Sequence, residues 1–274
     1  MVKSPLKYIG GKAKLINNGK LKFPEEYGDY YEPFCGGLTP FFSLIKDNVK
    51  DNNKNYYLSD NSENLVNFFQ VIKKRPHELI DEIKLNVNLN LFLNTSTCYY
   101  TCRKRFNELS ISENPIEKAA LFLYLNKTGF NGMYRENKKG EYNIPFGRMK
   151  LLLFDYPGIL NINAILTKEN VHLTCQDYKN INPKKGDLVY LDPPYYDTFS
   201  GYSKSPFGEL EHVQLQEKIV KWKSIGVIVI LSNSDTEFIR KLYSDSSIFT
   251  IEKVPIRYSI SSGTRVQNYE LIIS

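Results

Sequence analysis

The segment that most limits how this chain can fold is LVYLDPPYY, residues 188–196. An apolar strand ends on Asp192 and turns at once through Pro193 and Pro194 into Tyr195. In open α/β sheets ligands bind beyond the carboxyl ends of the strands, so Asp192, the Pro193 carbonyl and Tyr195 are expected at the rim of a site. Two prolines fix their own backbone dihedrals and restrict the residue before them, which makes that rim rigid. Taken alone, the same string also fits a simple strand-ending turn, since Asp and Pro are common turn residues.

Both ends of the chain supply the alternation such a sheet needs. DYYEPF, the helix-spaced TPFFSLIKD and NYYLSD read as strand, helix, strand. VHLT, LVYLD, VIVILSN, FTIEKVPI and YELII are further strand candidates, with amphipathic helices at about 210–225 and 236–243. Between Ser62 and about Lys127 the pattern is helical, opening at a Ser cap, with Pro115 in a later first turn. TGFNGMYRENKKGEYNIPFGRMK then suggests a β-hairpin turning at Asn137-Lys138-Lys139-Gly140. The expected architecture is a Rossmann-like α/β domain from residues 1–61 and 154–274, with an inserted helical plus β-hairpin domain at 62–153.

Composition removes several classes. No apolar run approaches the roughly 20 residues that cross a bilayer, and MVKSPLKYIGGKAKL has no signal-peptide core. The expectation is an intracellular, cytoplasmic protein. Cys35, Cys98, Cys102 and Cys175 are too scattered for a disulfide framework and lack the paired C-x2-C of a zinc site, so no metal is expected. Charge is uneven: residues 101–150 hold ten Lys/Arg against five Asp/Glu, and the first 24 residues hold six lysines and no acid. Such faces suit phosphate, but by themselves they are more often simply solvated.

Two further motifs are glycine turns, of which the second is weak alone. EPFCGG, residues 32–37, is an extended run ending in glycines, which let backbone approach a ligand closely. The G-x-G-x-x-G of dinucleotide folds is absent, because Leu38-Thr39-Pro40 follow Gly37, and this disfavours a nicotinamide enzyme. Asp60, at the end of the next strand, fits a ribose acceptor and fits equally well a cap for the following helix. KYIGGK, residues 7–12, is a tight turn flanked by lysines and lacks the spacing of a phosphate-binding loop. An acid and a carbonyl side by side suit an aromatic amine such as adenine N6. Its lone pair is delocalised into the ring, and two acceptors would pull it toward tetrahedral geometry. Tyr195 would stack on the base, which must leave the duplex to be reached.

With KYIGGK, EPFCGG, the central insertion and DPPY in that order, the chain resembles the Dam-type, alpha-group DNA adenine methyltransferases nearly end to end. LFLYLNKTGFNGMYRENKKGEYNIPFGR looks like that family's helix and DNA-reading hairpin, and RYSISSGTR with YELII resembles its tail. The resemblance implies an S-adenosylmethionine-dependent methyltransferase acting on double-stranded DNA, usually at GATC, with no obligatory protein partner. It implies that Tyr8, Lys12, Phe34, Gly36, Asp60, Asp177 and Asp192 contact S-adenosylmethionine. Asp192, Pro193, Pro194 and Tyr195 match its catalytic motif. Asn131, Met133, Arg135, Pro145 and Arg148 match positions that touch or wedge DNA, in keeping with Arg reading guanine and a thioether sliding between bases.

The chain departs from the pattern where Leu38 replaces a glycine, Tyr8 a tryptophan, Phe130 a tyrosine and Met133 a leucine, and SISSGTR is shorter than usual. Those departures bear most on the DNA sequence that is read. Arg135 and Arg148 also have a plainer reading as surface ion-pair partners of Glu136 and Glu141. His77, His172 and His212 sit in no catalytic pattern, and Trp222 lies on an amphipathic helix as packing. Methylation of cytosine N4 or an RNA base, and catalytically silent DNA binding, are the alternative functions.

Overall fold

The computed structural model describes all residues except 1, 8–10, 48–53, 149–150, 197–206 and 257–267. Its elements, in chain order, are α1 (Ala13–Asn17), β1 (Tyr30–Glu32), α2 (Thr39–Asp47), β2 (Tyr56–Asp60), α3 (Glu63–Lys74), α4 (Pro76–Asn88), α5 (Ser96–Glu108) and α6 (Pro115–Thr128). They continue with α7 (Tyr156–Leu166), β3 (Val171–Cys175), β4 (Leu188–Leu191), α8 (Glu209–Ser224), β5 (Ile228–Ser234), α9 (Glu237–Leu242), β6 (Ile251–Ile256) and β7 (Asn268–Ile273).

The seven strands form one sheet in the order β3-β2-β1-β4-β5-β7-β6. β1 pairs in parallel with both β2 and β4, and β7 runs antiparallel between β5 and β6. Strand order therefore reverses between β1 and β4, the switch point where open α/β sheets leave a crevice at their carboxyl edge. Side chains alternate across the sheet with the strand period of two. Tyr30, Leu188 and Tyr190 enter a core shared with α3 and α6. Tyr31, Val189 and Leu191 enter a second core under α8 and α9, which contains Trp222.

The long segment without strand alternation is four helices. Ser62 caps α3 by accepting from the Leu65 amide, Thr95 caps α5, and Pro76 and Pro115 open α4 and α6 where a missing N–H costs nothing. α6 is buried nearly all round. Its Lys118 is 7% exposed and donates to the Phe106 and Leu109 carbonyls, so the end of α5 is tied to α6. α3 packs on β2 and β3 as well as on α6, and one apolar core runs from the sheet through these helices.

The hairpin is more irregular than its sequence suggests. Its arms pair through isolated backbone bridges in place of strands, Glu136 with Tyr142 and Gly129 with Phe146, around a turn in which Gly140 takes φ +77°. α1 and α7 add to the elements expected from the sequence. α7 is capped by Asp155, whose carboxylate accepts from the Gly158 amide at 2.9 Å. Among the described residues no helix is long and apolar enough to cross a membrane.

Candidate active site

Four neighbouring strands end in or just before a carboxylate. Glu32 closes β1, Asp60 closes β2, Asp177 follows β3, and Asp192 follows β4. Because β1, β2, β3 and β4 are mutually parallel, these acids collect at one edge of the sheet, around the switch point.

Asp192 is paired with Lys12, whose Nζ lies 2.9 Å from Asp192 Oδ1. The lysine is 2% exposed and the carboxylate 22% exposed, and the same ammonium stands 4.8 Å from the Tyr195 ring centroid. Burial raises the Asp192 pKa, while the charge of Lys12 and the neighbouring Tyr195 hydroxyl act against that shift. Pro193 is buried and Pro194 exposed, so the turn anchors on one side and faces outward on the other.

Asp60 joins the glycine turn to α3. Its Oδ2 accepts from the Gly36 amide at 3.1 Å and its Oδ1 from the Ser62 amide at 3.0 Å. Burial raises its pKa, and these backbone donors oppose the rise. Asn61 donates to Asp177 at 3.3 Å, and Phe34 stacks on Tyr178 with ring centroids 5.3 Å apart. Phe34, Gly36, Asp60 and Asp177 thus surround one stretch of the sheet edge, with Lys12, Asp192 and Tyr195 across the switch point. Tyr8 lies outside the described residues, as does RYSISSGTR.

The glycine turn follows its own path. Leu38, where the resembled pattern has glycine, adopts φ +60° and is fully buried. A left-handed conformation costs a side-chain-bearing residue about 1–2 kcal/mol, and burying a leucine returns about 1.5–3 kcal/mol. Packing therefore holds the leucine in a glycine conformation.

Two acids at this edge were not singled out from sequence. Glu32 is 1% exposed and accepts from the Tyr30 hydroxyl at 2.6 Å. Burial pushes its pKa up to about 8, with the Asp192 charge adding to the rise and the Tyr30 hydrogen bond opposing it. Glu270, on β7 opposite Ser234, is 4% exposed. Its Oε2 has no hydrogen-bond partner among the described residues, and its pKa is raised by burial. Both acids interrupt otherwise apolar strand sequences, YYE and NYELII, and that interruption was the available signal. His212 is fully buried beneath Tyr196 and Phe207, and burial pushes its pKa down to about 4, so it is neutral near pH 7.

The 129–148 segment forms an exposed edge beside this site. Asn131, Arg135, Pro145 and Arg148 are exposed, while Met133 is half-buried against the core. Asn131 and Arg148 have φ of +55° and +49°. Arg135 donates to Asn143 Oδ1 at 2.8 Å. Glu136 is held by Tyr134 and Asn64, and Glu141 by Asn137, so neither acid pairs with Arg135 or Arg148 among the described residues. The segment is tied to the N-terminal motif by Asn126, which is 5% exposed. Its amide accepts from the Lys7 N–H at 2.7 Å and donates to the Lys7 and Gly132 carbonyls at 2.8 and 3.0 Å.

A mixed sheet of this order, with acids at its switch point and a Pro-Pro turn after β4, has the form of an α/β methyltransferase. The model of D12 class N6 adenine-specific DNA methyltransferases matches residues 8–260, and the chain belongs to that family. It is 32% identical to the type II methyltransferase M.MjaIII of Methanocaldococcus jannaschii, covering 99% of this chain and 98% of that one. It is also 32% identical to the DNA adenine methylase of Haemophilus influenzae, over 97% of this chain and 91% of the other. The DNA adenine methylase of Escherichia coli K12 is 30% identical over 97% and 93% of the two chains.

Proposed function

We propose that this protein transfers the methyl group of S-adenosylmethionine to N6 of an adenine flipped out of duplex DNA, with GATC as its target. The observation that carries the reading is Asp192, fixed at the switch point by Lys12 and followed by two prolines and Tyr195.

The residues at the sheet edge fit such a donor. Its ribose hydroxyls and α-ammonium are hydrogen-bond donors, and Asp60, Asp177 and Asp192 are acceptors with lone pairs to spare. We assign donor contacts to Tyr8, Lys12, Phe34, Gly36, Asp60, Asp177 and Asp192. Gly36 brings backbone close, and Phe34 supplies an apolar wall. S-Adenosylmethionine, when bound, supplies an electrophilic methyl group.

The chain's own residues prepare the nucleophile. Asp192 and the Pro193 carbonyl accept hydrogen bonds from the adenine amino group, which draws its lone pair out of conjugation. The rigid Pro193-Pro194 turn fixes both acceptors before the base arrives, so little reorganisation accompanies the reaction. Tyr195 stacks on the extruded base and recovers part of the unstacking cost.

We assign residues 1–61 and 154–274 to catalysis and 62–153 to target recognition. Arg135 and Arg148 are free of acidic partners among the described residues and are available for guanine edges. Asn131, Met133 and Pro145 complete the contact edge. The test is methyl transfer to matched duplexes carrying GATC or a permuted tetranucleotide. Transfer to adenine of GATC alone supports the whole reading. Transfer to another adenine site keeps the chemistry and rejects the sequence assignment, and transfer to cytosine rejects the chemistry.

A further inference from the structure

We infer that Asn64 and Tyr134 are positioning residues that couple the recognition segment to the methyl-donor pocket, so that donor and target duplex favour each other's binding. The inference rests on the donor role proposed for Asp60 and the DNA role proposed for residues 131–148.

Asn64 and Tyr134 are 70 positions apart, yet Asn64 Nδ2 donates to the Tyr134 hydroxyl at 2.8 Å. The Tyr134 hydroxyl donates to Glu136 Oε1, and Asn64 Nδ2 reaches the same oxygen at 3.4 Å. Asn64 lies in the first turn of α3, whose cap Ser62 hangs from Asp60 Oδ1 at 3.0 Å, and the Ser62 hydroxyl also faces Tyr134. On the other side, Asp60 Oδ2 holds the Gly36 amide. A path of hydrogen bonds therefore runs from the glycine turn, through Asp60 and the start of α3, to Tyr134 and Glu136. Glu136 adjoins Arg135 and bridges to Tyr142 across the hairpin.

The Tyr134 ring is wedged against Phe122 and Tyr142, with centroids 5.4 and 5.6 Å away. Its hydroxyl cannot swing away from Asn64 without moving the arm that carries Arg135. A donor held by Asp60 orders the Ser62–Asn64 turn from one side, and DNA on the hairpin orders Glu136 from the other. Ordering by one ligand lowers the cost for the second, and the effect is equal in both directions.

The experiment measures binding of S-adenosylhomocysteine by calorimetry, to the free protein and to protein saturated with the target duplex. Wild type, Asn64→Ala and Tyr134→Phe are compared, the last keeping the ring packing so that a folded variant is available. Wild type is expected to bind at least about fivefold more tightly with duplex present, at the lower end of typical couplings. Both variants are expected to fall below about twofold, with unchanged affinity in the free protein. Variants that keep the wild-type ratio overturn the inference, as does a wild type that methylates DNA but shows no ratio. A wild type that neither methylates nor binds the duplex overturns the proposed function as well, and the DNA titration reads that separately.

Discussion

Lys12 Nζ and Asp192 Oδ1 stand 2.9 Å apart, joining the N-terminal motif to the turn after β4 across 180 positions of sequence. The ammonium is nearly sealed from water, so its charge is tolerable only beside carboxylates. Burial raises the Asp192 pKa, and the charge of Lys12 opposes that rise. An ionised Asp192 is what the proposed reaction requires, because only then is each of its oxygens purely an acceptor.

Asp192→Ala and Asp192→Asn are accordingly expected to abolish methyl transfer while leaving DNA binding largely intact. The alanine variant also removes the Lys12 ion pair, at a cost of about 3 kcal/mol of stability. Turnover and duplex binding measured side by side, with a denaturant titration, check both parts. Near-wild-type turnover in either variant contradicts the assignment.

Glu32 predicts a pH dependence. Its pKa of about 8 in the folded protein lies above its ordinary value, so folding favours its protonated form. The resulting contribution is fully present below about pH 4.5 and is lost as the pH rises to about 8, at up to about 1.4 kcal/mol per unit. Glu32→Gln is expected to flatten the stability profile between pH 5 and 8, measured by denaturation at fixed temperature. An unchanged slope would show that Glu32 is ionised in the folded protein.

Asn126 is expected to matter to both stability and recognition. Removing its side chain leaves the Lys7 N–H, the Lys7 carbonyl and the Gly132 carbonyl without their partner. Asn126→Ala should cost about 2–3 kcal/mol, since buried polar groups left unsatisfied lose their full desolvation energy. It should also weaken binding to the target duplex, read by melting and by titration of the duplex. A loss of stability with unaltered DNA binding would confine Asn126 to a structural role.

Arg148→Ala is expected to reduce discrimination between target and non-target duplexes by about 1–3 kcal/mol, the value of one bidentate base contact. Competition binding on both duplexes measures it. An equal loss on every sequence would make Arg148 a phosphate contact.

Much of the sheet was legible because its strands are apolar runs bounded by turn residues, and LVYLDPPYY fixed the site edge in a single line of sequence. α2, α3 and α6 were legible from spacing and caps. α7 escaped because Pro157, Gly158 and two asparagines dilute its apolar pattern, although Asp155 offered a cap. The single bridges of the hairpin escaped because its shape depends on Asn126 and Asn107, which reach it from α6 and α5. The cap of α3 is Ser62 rather than Asp60, which accepts from the Ser62 and Gly36 amides, and its spare lone pairs leave the ribose reading open to experiment. Glu32 and Glu270 show in the sequence only as single acids in apolar strands, a signal that marks an exception to the core pattern without assigning a role.

The most direct test is to incubate purified protein with unmethylated genomic DNA and S-adenosylmethionine, then map modified bases by single-molecule sequencing, with Asp192→Ala in parallel. The expected result is N6-methyladenine confined to GATC with wild type and none with the variant. Modified cytosine, or no modification by a protein that binds both donor and duplex, would contradict it.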